Sequence, residues 1–327
     1  LCDRGRFGAG FVNNDERLEY PGVRREDGRY DALDHHAALD VMVDCLKRAR
    51  KKGARVAGIG SPRASVEANY LLRQLVGPEH FCPGPSASEQ ALVNLALDLQ
   101  RQSHAVLPDV RTIESADAVL ILGEDLTNTA PRLALALRQS VRNRAYEMAA
   151  ELRLETWQDA AIRNLAQDQR SPLYIAACGD TPLDDVAESS WSLATDDIAR
   201  LGLEVARKLD HPVGSDDAAM IAAALAAAKH PLIISGTGAG SASVMQAAAA
   251  VADGLCAAGK QAMLCLAVPE ANRLGQAQLC GEDEPNLETI GSRVTAEDYD
   301  VLLVLENDLY RRAPAGQVDR LLQGSAA

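Results

Sequence analysis

Short apolar runs recur along this chain, and each is followed by a loop and then by a helical pattern. The clearest run spans residues 118–123 and is continuous in aliphatic side chains. Similar runs occupy residues 56–60, 173–177, 231–235, 262–268 and 301–305. A run that is apolar at every position predicts a parallel strand that is covered on both faces. The sequence therefore predicts an α/β fold built from doubly wound, mainly parallel sheets.

The length of 327 residues is typical of about two domains of ~150 residues each. Two polar stretches, residues 102–112 and 210–216, bracket a middle block, which predicts one α/β domain inserted in another. The predicted segments are an extended entry segment at residues 1–30, a split α/β domain of residues 31–113 plus 215–327, and an inserted α/β domain at residues 114–214.

Acidic residues outnumber basic ones, since 46 Asp and Glu stand against 33 Lys and Arg and give a net charge of −13. This charge, together with only 4% aromatic residues, argues against a nucleic-acid or anionic-lipid partner. The longest apolar run, residues 218–228, is mostly alanine and shorter than the ~20 residues that cross a bilayer. We therefore expect neither nucleic-acid binding nor direct membrane insertion.

The best candidate for a phosphate-binding loop follows the predicted strand at residues 231–235. Its glycines, Gly236, Gly238 and Gly240, allow close approach of a ligand to the backbone, and the helix that follows offers free N–H groups. The spacing is neither that of a dinucleotide-binding fingerprint nor that of a Walker loop. A tight strand-to-helix turn remains the alternative interpretation.

Two further loops stand at strand ends, where open α/β sheets bind ligands. One contains Gly58, Gly60 and Ser61, and the other begins at Gly123. The carboxylates at positions 124 and 125 follow Gly123 directly and would repel a phosphate.

No pattern in the sequence indicates catalysis. The seven cysteines contain no CxxC pair, and none of the six histidines is spaced from a Cys, Ser or carboxylate as a nucleophile or metal site requires. Buried, reduced thiols of a cytosolic protein are the simplest interpretation of the cysteines. The residues alone therefore predict a nucleotide-binding scaffold without catalytic side chains.

Four stretches nevertheless resemble one known family together: residues 1–13, 58–69, 119–137 and 303–310. They are similar to the G subunit of bacterial NADH:quinone oxidoreductase, the respiratory complex I, and the likeness spans essentially the whole chain. That family belongs to the molybdopterin oxidoreductase superfamily, which also contains formate dehydrogenases. The resemblance implies that the two α/β domains correspond to domains 2 and 3 of the formate dehydrogenase fold.

The resemblance also implies which cofactors to expect. Cys2 matches the last of four cysteines that hold a [4Fe–4S] cluster in the full-length relatives, and the other three ligands would lie upstream. The family carries further iron–sulfur clusters in its N-terminal part. Residues 82–89 lack the Cys-His signature of the pterin-binding relatives, and Gly123-Glu124-Asp125 stands where those relatives often have Gly-x-Asn-Pro. We therefore expect no bound cofactor in this segment and interpret its glycine loops as remnants of a cofactor site.

The leading hypothesis is a non-catalytic scaffold in the peripheral arm of complex I, on the cytoplasmic face of the membrane, in contact with other peripheral-arm subunits. The parent complex would transfer electrons from NADH to quinone. Two alternatives remain, an active molybdopterin-dependent oxidoreductase fragment and a nucleotide-binding module that uses residues 236–241. A missing strand after the last helical pattern would expose an apolar sheet edge, so we also expect the fragment to dimerise.

Overall fold

A computed structural model describes residues 3–25, 27–209, 214–281, 284–295 and 299–323 of the chain. Contacts divide the chain into two units, and one is inserted in the other. Unit 1 is formed by residues 1–86 and 279–327, and unit 2 by residues 87–278.

The strands in chain order are β1 (Gly22–Arg24), β2 (Tyr30–Ala32), β3 (Val56–Ile59), β4 (Phe81–Cys82), β5 (Ala118–Leu122), β6 (Leu173–Ala177), β7 (Ser189–Ser192), β8 (Pro231–Gly236), β9 (Met263–Ala267) and β10 (Val301–Val304). The α-helices are α1 (Asp3–Phe7), α2 (His35–Lys51), α3 (Val66–Val76), α4 (Ala87–Gln102), α5 (Val110–Glu114), α6 (Leu126–Thr129), α7 (Pro131–Ser140), α8 (Asn143–Glu151), α9 (Asp159–Ala166), α10 (Thr195–Lys208), α11 (Asp217–Ala227), α12 (Ala242–Ala257), α13 (Arg273–Leu279), α14 (Leu287–Thr295) and α15 (Ala315–Gln323).

Unit 2 is built on a five-stranded parallel sheet with the order β7-β6-β5-β8-β9. The chain enters the sheet at the central strand β5, proceeds outward to β7, and then crosses to the other side of β5 for β8 and β9. This is the doubly wound arrangement, in which the strand order reverses between the first and the fourth strand. The predicted α/β class with parallel sheets is confirmed.

The central position of β5 in the sheet explains why its sequence is apolar at every position. Leu120 and Leu122 point into a core formed with α10, α11 and α12, while Val119 and Ile121 point into a second core with α5 and α7. Successive side chains of a strand face opposite sides, so a strand with helices on both faces must be apolar throughout. All five residues of β5 are buried.

Unit 1 contains a three-stranded parallel sheet in the order β10-β3-β4 and a small antiparallel pair, β1 with β2. Its core joins Ala57 and Ile59 of β3 to Leu287 and Ile290 of α14 and to Leu321 of α15. The N-terminal residues were predicted to form an extended entry segment. The structure instead shows a helical turn at Asp3–Phe7, a 3-10 helix at Gly8–Asn13 and then β1.

The observed unit boundaries differ from the predicted ones at 114 and 214. Strands β8 and β9 were assigned to the split domain, yet they belong to the sheet of unit 2, where β8 pairs with β5 and β9 pairs with β8. The polar stretch at residues 102–112 also lies inside unit 2, where Val106 bridges to Met263. This polar stretch is a surface connection, whereas the units are defined by backbone pairing between strands that are distant in the sequence. The inserted unit is therefore residues 87–278.

Candidate functional site

The carboxyl ends of β5 and β8 lie side by side in unit 2, at the point where the strand order reverses. After β5 the backbone turns at Gly123, whose φ is +78° and whose N–H donates to the Ala176 carbonyl at 2.8 Å. A Cβ at Gly123 would lie 2.8 Å from Cβ of Ala239 and 2.9 Å from Cγ1 of Val244. Gly123 is therefore required for close contact between this turn and the loop after β8.

Ser235 links the same two strands below the loops. Its buried hydroxyl donates to the Leu122 carbonyl at 2.8 Å. The backbone continues through Gly236, which still pairs with Ala267 of β9, and the Thr237 N–H donates to the Ala267 carbonyl at 3.1 Å. The start of the glycine-rich loop is thus anchored to both neighbouring strands.

Glu124 points from the first loop into the second. Only 1% of its surface is exposed, and its Oε1 accepts a hydrogen bond from the Gly238 N–H at 2.5 Å. Its Oε2 accepts from the Thr129 hydroxyl at 3.3 Å. The neighbouring Asp125 instead caps α6, since its Oδ1 accepts from the Thr127 N–H at 3.0 Å. The two adjacent carboxylates therefore have different roles.

Burial raises the pKa of Glu124, because the charged form loses its hydration in the crowded loop. The hydrogen bonds from Gly238 and Thr129 act in the opposite direction, and the charge of Asp125 adds to the rise. Burial likewise raises the pKa of the Cys265 thiol on β9 to about 11, with Glu124 as the second cause. The carboxylate of Glu124 therefore influences a second buried group at this end of the sheet.

Two clefts open beside Gly238. One has a volume of about 300 Å³ and is lined on its acidic side by Glu124, Asp125 and Asp180. The other has a volume of about 250 Å³ and lies between the loop and α4. There the buried guanidinium of Arg273 donates to Oε1 of Gln90 at 3.1 Å. The first cleft disfavours anions, and the lining of the second contains the basic group of Arg273 together with the carboxylates of Glu89 and Glu270.

The predicted loop at Gly58, Gly60 and Ser61 belongs to unit 1 and is stabilised by internal contacts. The Gly60 N–H donates to the Cys82 carbonyl at 2.7 Å, and the Ser61 N–H donates to Oδ1 of Asn69 at 3.0 Å. Asn69 returns a hydrogen bond to the Ser61 carbonyl at 2.9 Å. A Cβ at Gly58 would lie 3.0 Å from Leu72 of α3, so this glycine permits close helix packing.

The predicted loop residues therefore form two groups. Gly123, Gly236, Gly238 and Gly240 come together in unit 2, and Gly58, Gly60 and Ser61 form a separate loop in unit 1. Gly58 is paired within the β3 ladder and Gly236 within the β8 ladder. The N–H of Gly240 donates to the Thr237 carbonyl at 3.0 Å. A phosphate needs N–H groups that are free to point at it, whereas the N–H groups of Gly60, Ser61, Gly238 and Gly240 each donate to an atom of the chain itself.

The sequence did not show that the side chain of Glu124 occupies the loop after β8, or that the side chain of Asn69 occupies the loop after β3. The position of Glu124 directly after a buried strand was a signal, but its target in a loop more than 100 residues away was not visible. Cys2 lies outside the described residues. Within those residues, no group of three or more His, Cys, Asp or Glu side chains is placed to hold a metal ion, and no helix combines the length and hydropathy of a membrane span.

Comparisons with known proteins give a family and close relatives. The family model described as molybdopterin oxidoreductase matches residues 17–301. The G subunit of the NADH-quinone oxidoreductase of Pseudomonas fluorescens is 45% identical, with 99% of this chain and 36% of the relative aligned. The corresponding protein of Escherichia coli K12 is 42% identical, with 98% and 36% aligned. The chain thus spans about a third of the length of these curated relatives, and the predicted resemblance is confirmed.

A solved structure supports the fold alone. A chain of the formyltransferase/hydrolase complex from Methylorubrum extorquens, determined with methylofuran, superposes with a TM-score of 0.58 at 16% identity. The match covers 88% of this chain and 76% of that chain.

Proposed function

Since this chain belongs to the molybdopterin oxidoreductase family, we propose that it is a segment of the G subunit of an NADH-quinone oxidoreductase, in a complex that transfers electrons from NADH to quinone. The observation that carries the proposal is 45% identity over 99% of the chain to a curated G subunit of that enzyme. The alignment extends over both units, so the likeness is not confined to one shared motif.

Within that complex, the segment acts as a scaffold. In the superfamily, strand-end loops of this kind hold the phosphates of a pterin dinucleotide, and their N–H groups must face the ligand. Here the Ser61 N–H is bonded to Asn69 and the Gly238 N–H to Glu124. The residues present therefore do not fit the pterin cofactor that the family name implies. No step of electron transfer is assigned to these loops.

The same proposal assigns the location and partners. The segment is part of the peripheral arm, on the cytoplasmic face of the membrane, and it contacts other peripheral-arm subunits. The net charge of −13 suits contacts with proteins better than contacts with anionic lipid.

A chimera tests the proposal in a working complex. The aligned segment of the E. coli G subunit, which is 42% identical, is replaced by this chain in a strain that lacks its own copy of that protein. We expect the complex to assemble on native gels and the membranes to regain NADH:quinone activity. Failure to assemble, with the chimeric protein soluble and folded, would exclude the proposed function.

Two further measurements accompany the chimera experiment. Leu120→Asp serves as the control, because an unpaired carboxylate in the core of unit 2 costs several kcal/mol and should abolish assembly. Elemental analysis of the purified chain then tests the scaffold role. One molybdenum or tungsten atom per chain would mean that the loops hold a working cofactor, and the scaffold role would be wrong.

A further inference from the structure

We infer that Glu124 is a built-in anion, whose carboxylate takes the place of a phosphate oxygen on the glycine-rich loop after β8. The side chain thereby closes the loop to phosphate-bearing ligands. This inference deepens the proposed function and rests on it, because a scaffold in this family has no use for a cofactor in the loop.

The contact engages both carboxylate oxygens. Oε1 accepts from the Gly238 N–H at 2.5 Å, and Oε2 accepts from the Thr129 hydroxyl at 3.3 Å. Charged acceptors on backbone N–H groups form short, strong hydrogen bonds, and this is the interaction that a phosphate oxygen makes with such a loop. The N–H of Gly238 is therefore already used by an anion that the chain itself provides.

The shape of the loop follows the carboxylate. A Cβ at Gly238 would lie 2.6 Å from Oε2 of Glu124, and a Cβ at Gly236 would collide with Oε1 and with the Ala267 carbonyl. Gly238 is thus required for the backbone to fold around this side chain, whereas Gly236 is required first by the neighbouring backbone of β9. The internal carboxylate therefore explains the second glycine of the Gly-x-Gly spacing, which predicted a phosphate.

The position is the one at which an open α/β sheet binds its ligand. Glu124 follows β5 and Gly238 follows β8, and the strand order reverses between these two neighbours. Gly238 itself is exposed to solvent and lines both adjacent clefts. Removal of the Glu124 side chain would therefore leave a site that a ligand can reach.

Charge reinforces the occlusion. A phosphate brought to Gly238 would meet the charge of Glu124 at contact distance, and Asp125 and Asp180 line the same cleft. Like charges repel most strongly where water is excluded, and Glu124 is almost fully buried. On the side of this acidic cleft, both the space and the sign of the local charge oppose an incoming anion.

The test measures binding of inorganic pyrophosphate to the complete chain by calorimetry at fixed salt. We expect Glu124→Ala to bind pyrophosphate at least about tenfold more tightly than the unmodified chain, because the N–H of Gly238 becomes free and one negative charge is lost. In ¹H–¹⁵N spectra, pyrophosphate should shift the Gly238 resonance of the variant and leave that of the unmodified chain in place. No gain in affinity in a folded Glu124→Ala chain would overturn the inference.

Asp180→Asn is the matched control, since it removes a negative charge from the same cleft without opening the loop. An equal gain in this variant would assign the effect to net charge and contradict occlusion by Glu124. Hydrogen exchange at the Gly238 N–H tests the inference on the unmodified chain, so this measurement does not require a variant to fold. Slow hydrogen exchange at the Gly238 N–H is expected, and exchange as fast as that of a solvated loop amide would also overturn the inference.

The outcomes separate this inference from the proposed function. A chimera that assembles, together with a Glu124→Ala chain that ignores pyrophosphate, would leave the scaffold in place and reject the role of Glu124. A chimera that fails, together with a gain in pyrophosphate affinity, would reject the assignment to the NADH-quinone oxidoreductase and retain the internal anion.

Discussion

Gly238→Ala should destabilise unit 2 through one contact, the new methyl group against the carboxylate of Glu124. The Cβ would lie 2.6 Å from Oε2 and 2.9 Å from Cδ of Glu124, closer than non-bonded atoms approach. Gly238 is not among the glycines with positive φ, so its backbone suits alanine. Glu124 is buried and hydrogen-bonded, and it cannot swing away without losing its bond to the loop.

The expected cost follows from this geometry. Overpacking by one carbon in a closely packed site costs about 1–3 kcal/mol. If the clash is the cause, the same substitution in a Glu124→Ala chain should cost less than about 0.5 kcal/mol, because the opposing atoms are gone. The coupling energy between the two positions is then about 0.5–3 kcal/mol, within the range for residues in direct contact.

Urea unfolding followed by tryptophan fluorescence provides the assay. Both tryptophans, Trp157 and Trp191, lie in unit 2, so the signal reports on the unit that contains the loop. Gly240→Ala is the matched control: its φ is +62° and no atom lies within 4 Å of a new Cβ. It should cost about 1–2 kcal/mol through backbone strain alone, with no coupling to Glu124.

Equal costs of Gly238→Ala in the presence and absence of the Glu124 side chain would show that the clash with Glu124 is not the cause. The glycine would then be required by something other than the carboxylate, and the account of the loop as shaped around Glu124 would be wrong. Coupling at position 240 as large as that at position 238 would lead to the same conclusion.

Three further predictions concern buried polar groups. Burial raises the pKa of Glu124 above its ordinary value of 4.5, so the folded chain binds this proton more tightly and its stability should rise as the pH falls from neutral toward 4.5. In urea titrations from pH 7.5 to 4.5, this rise in stability should be lost in Glu124→Gln. An identical pH dependence of stability in both chains would contradict the prediction. Asn69→Ala should destabilise unit 1 by about 2–3 kcal/mol, since the buried Ser61 N–H loses its acceptor. Hydrogen exchange of peptides from unit 1 measures this loss of stability, and unchanged protection would disprove the role of Asn69. At pH 8 the exposed Cys178 should react with a disulfide reagent well before Cys265, whose pKa of about 11 leaves about one thiolate in a thousand; peptide mapping of the first modified site decides this order, and early labelling of Cys265 would refute it.

Much of the secondary structure could be predicted from local patterns. The apolar runs located β3, β5, β6, β8, β9 and β10 to within a residue or two, because a strand covered on both faces has no place for a polar side chain. The same rule explains a miss. Strand β7, with the sequence Ser-Ser-Trp-Ser, alternates in exposure along its length, so no apolar run marked it.

The candidate site was predicted in part. The sequence identified the glycine loops and the carboxylates at positions 124 and 125, and it indicated that these carboxylates disfavour phosphate. It could not distinguish their roles, because Asp125 caps the helix that follows it while Glu124 reaches a loop 114 residues further along the chain. Capping depends on neighbours in sequence, whereas the second contact depends on which strands pair.

The α/β class, the positions of the buried strands and the family could all be predicted from the sequence, since these depend on local periodicity and on motifs that follow one another along the chain. The tertiary structure alone decided the unit boundaries, the order β7-β6-β5-β8-β9 and the partner of Glu124. Buried parallel strands have nearly the same composition, so nothing in a single strand specifies its neighbour. The neighbour is selected by packing and backbone hydrogen bonds over the whole unit, and that selection places Glu124 beside Gly238.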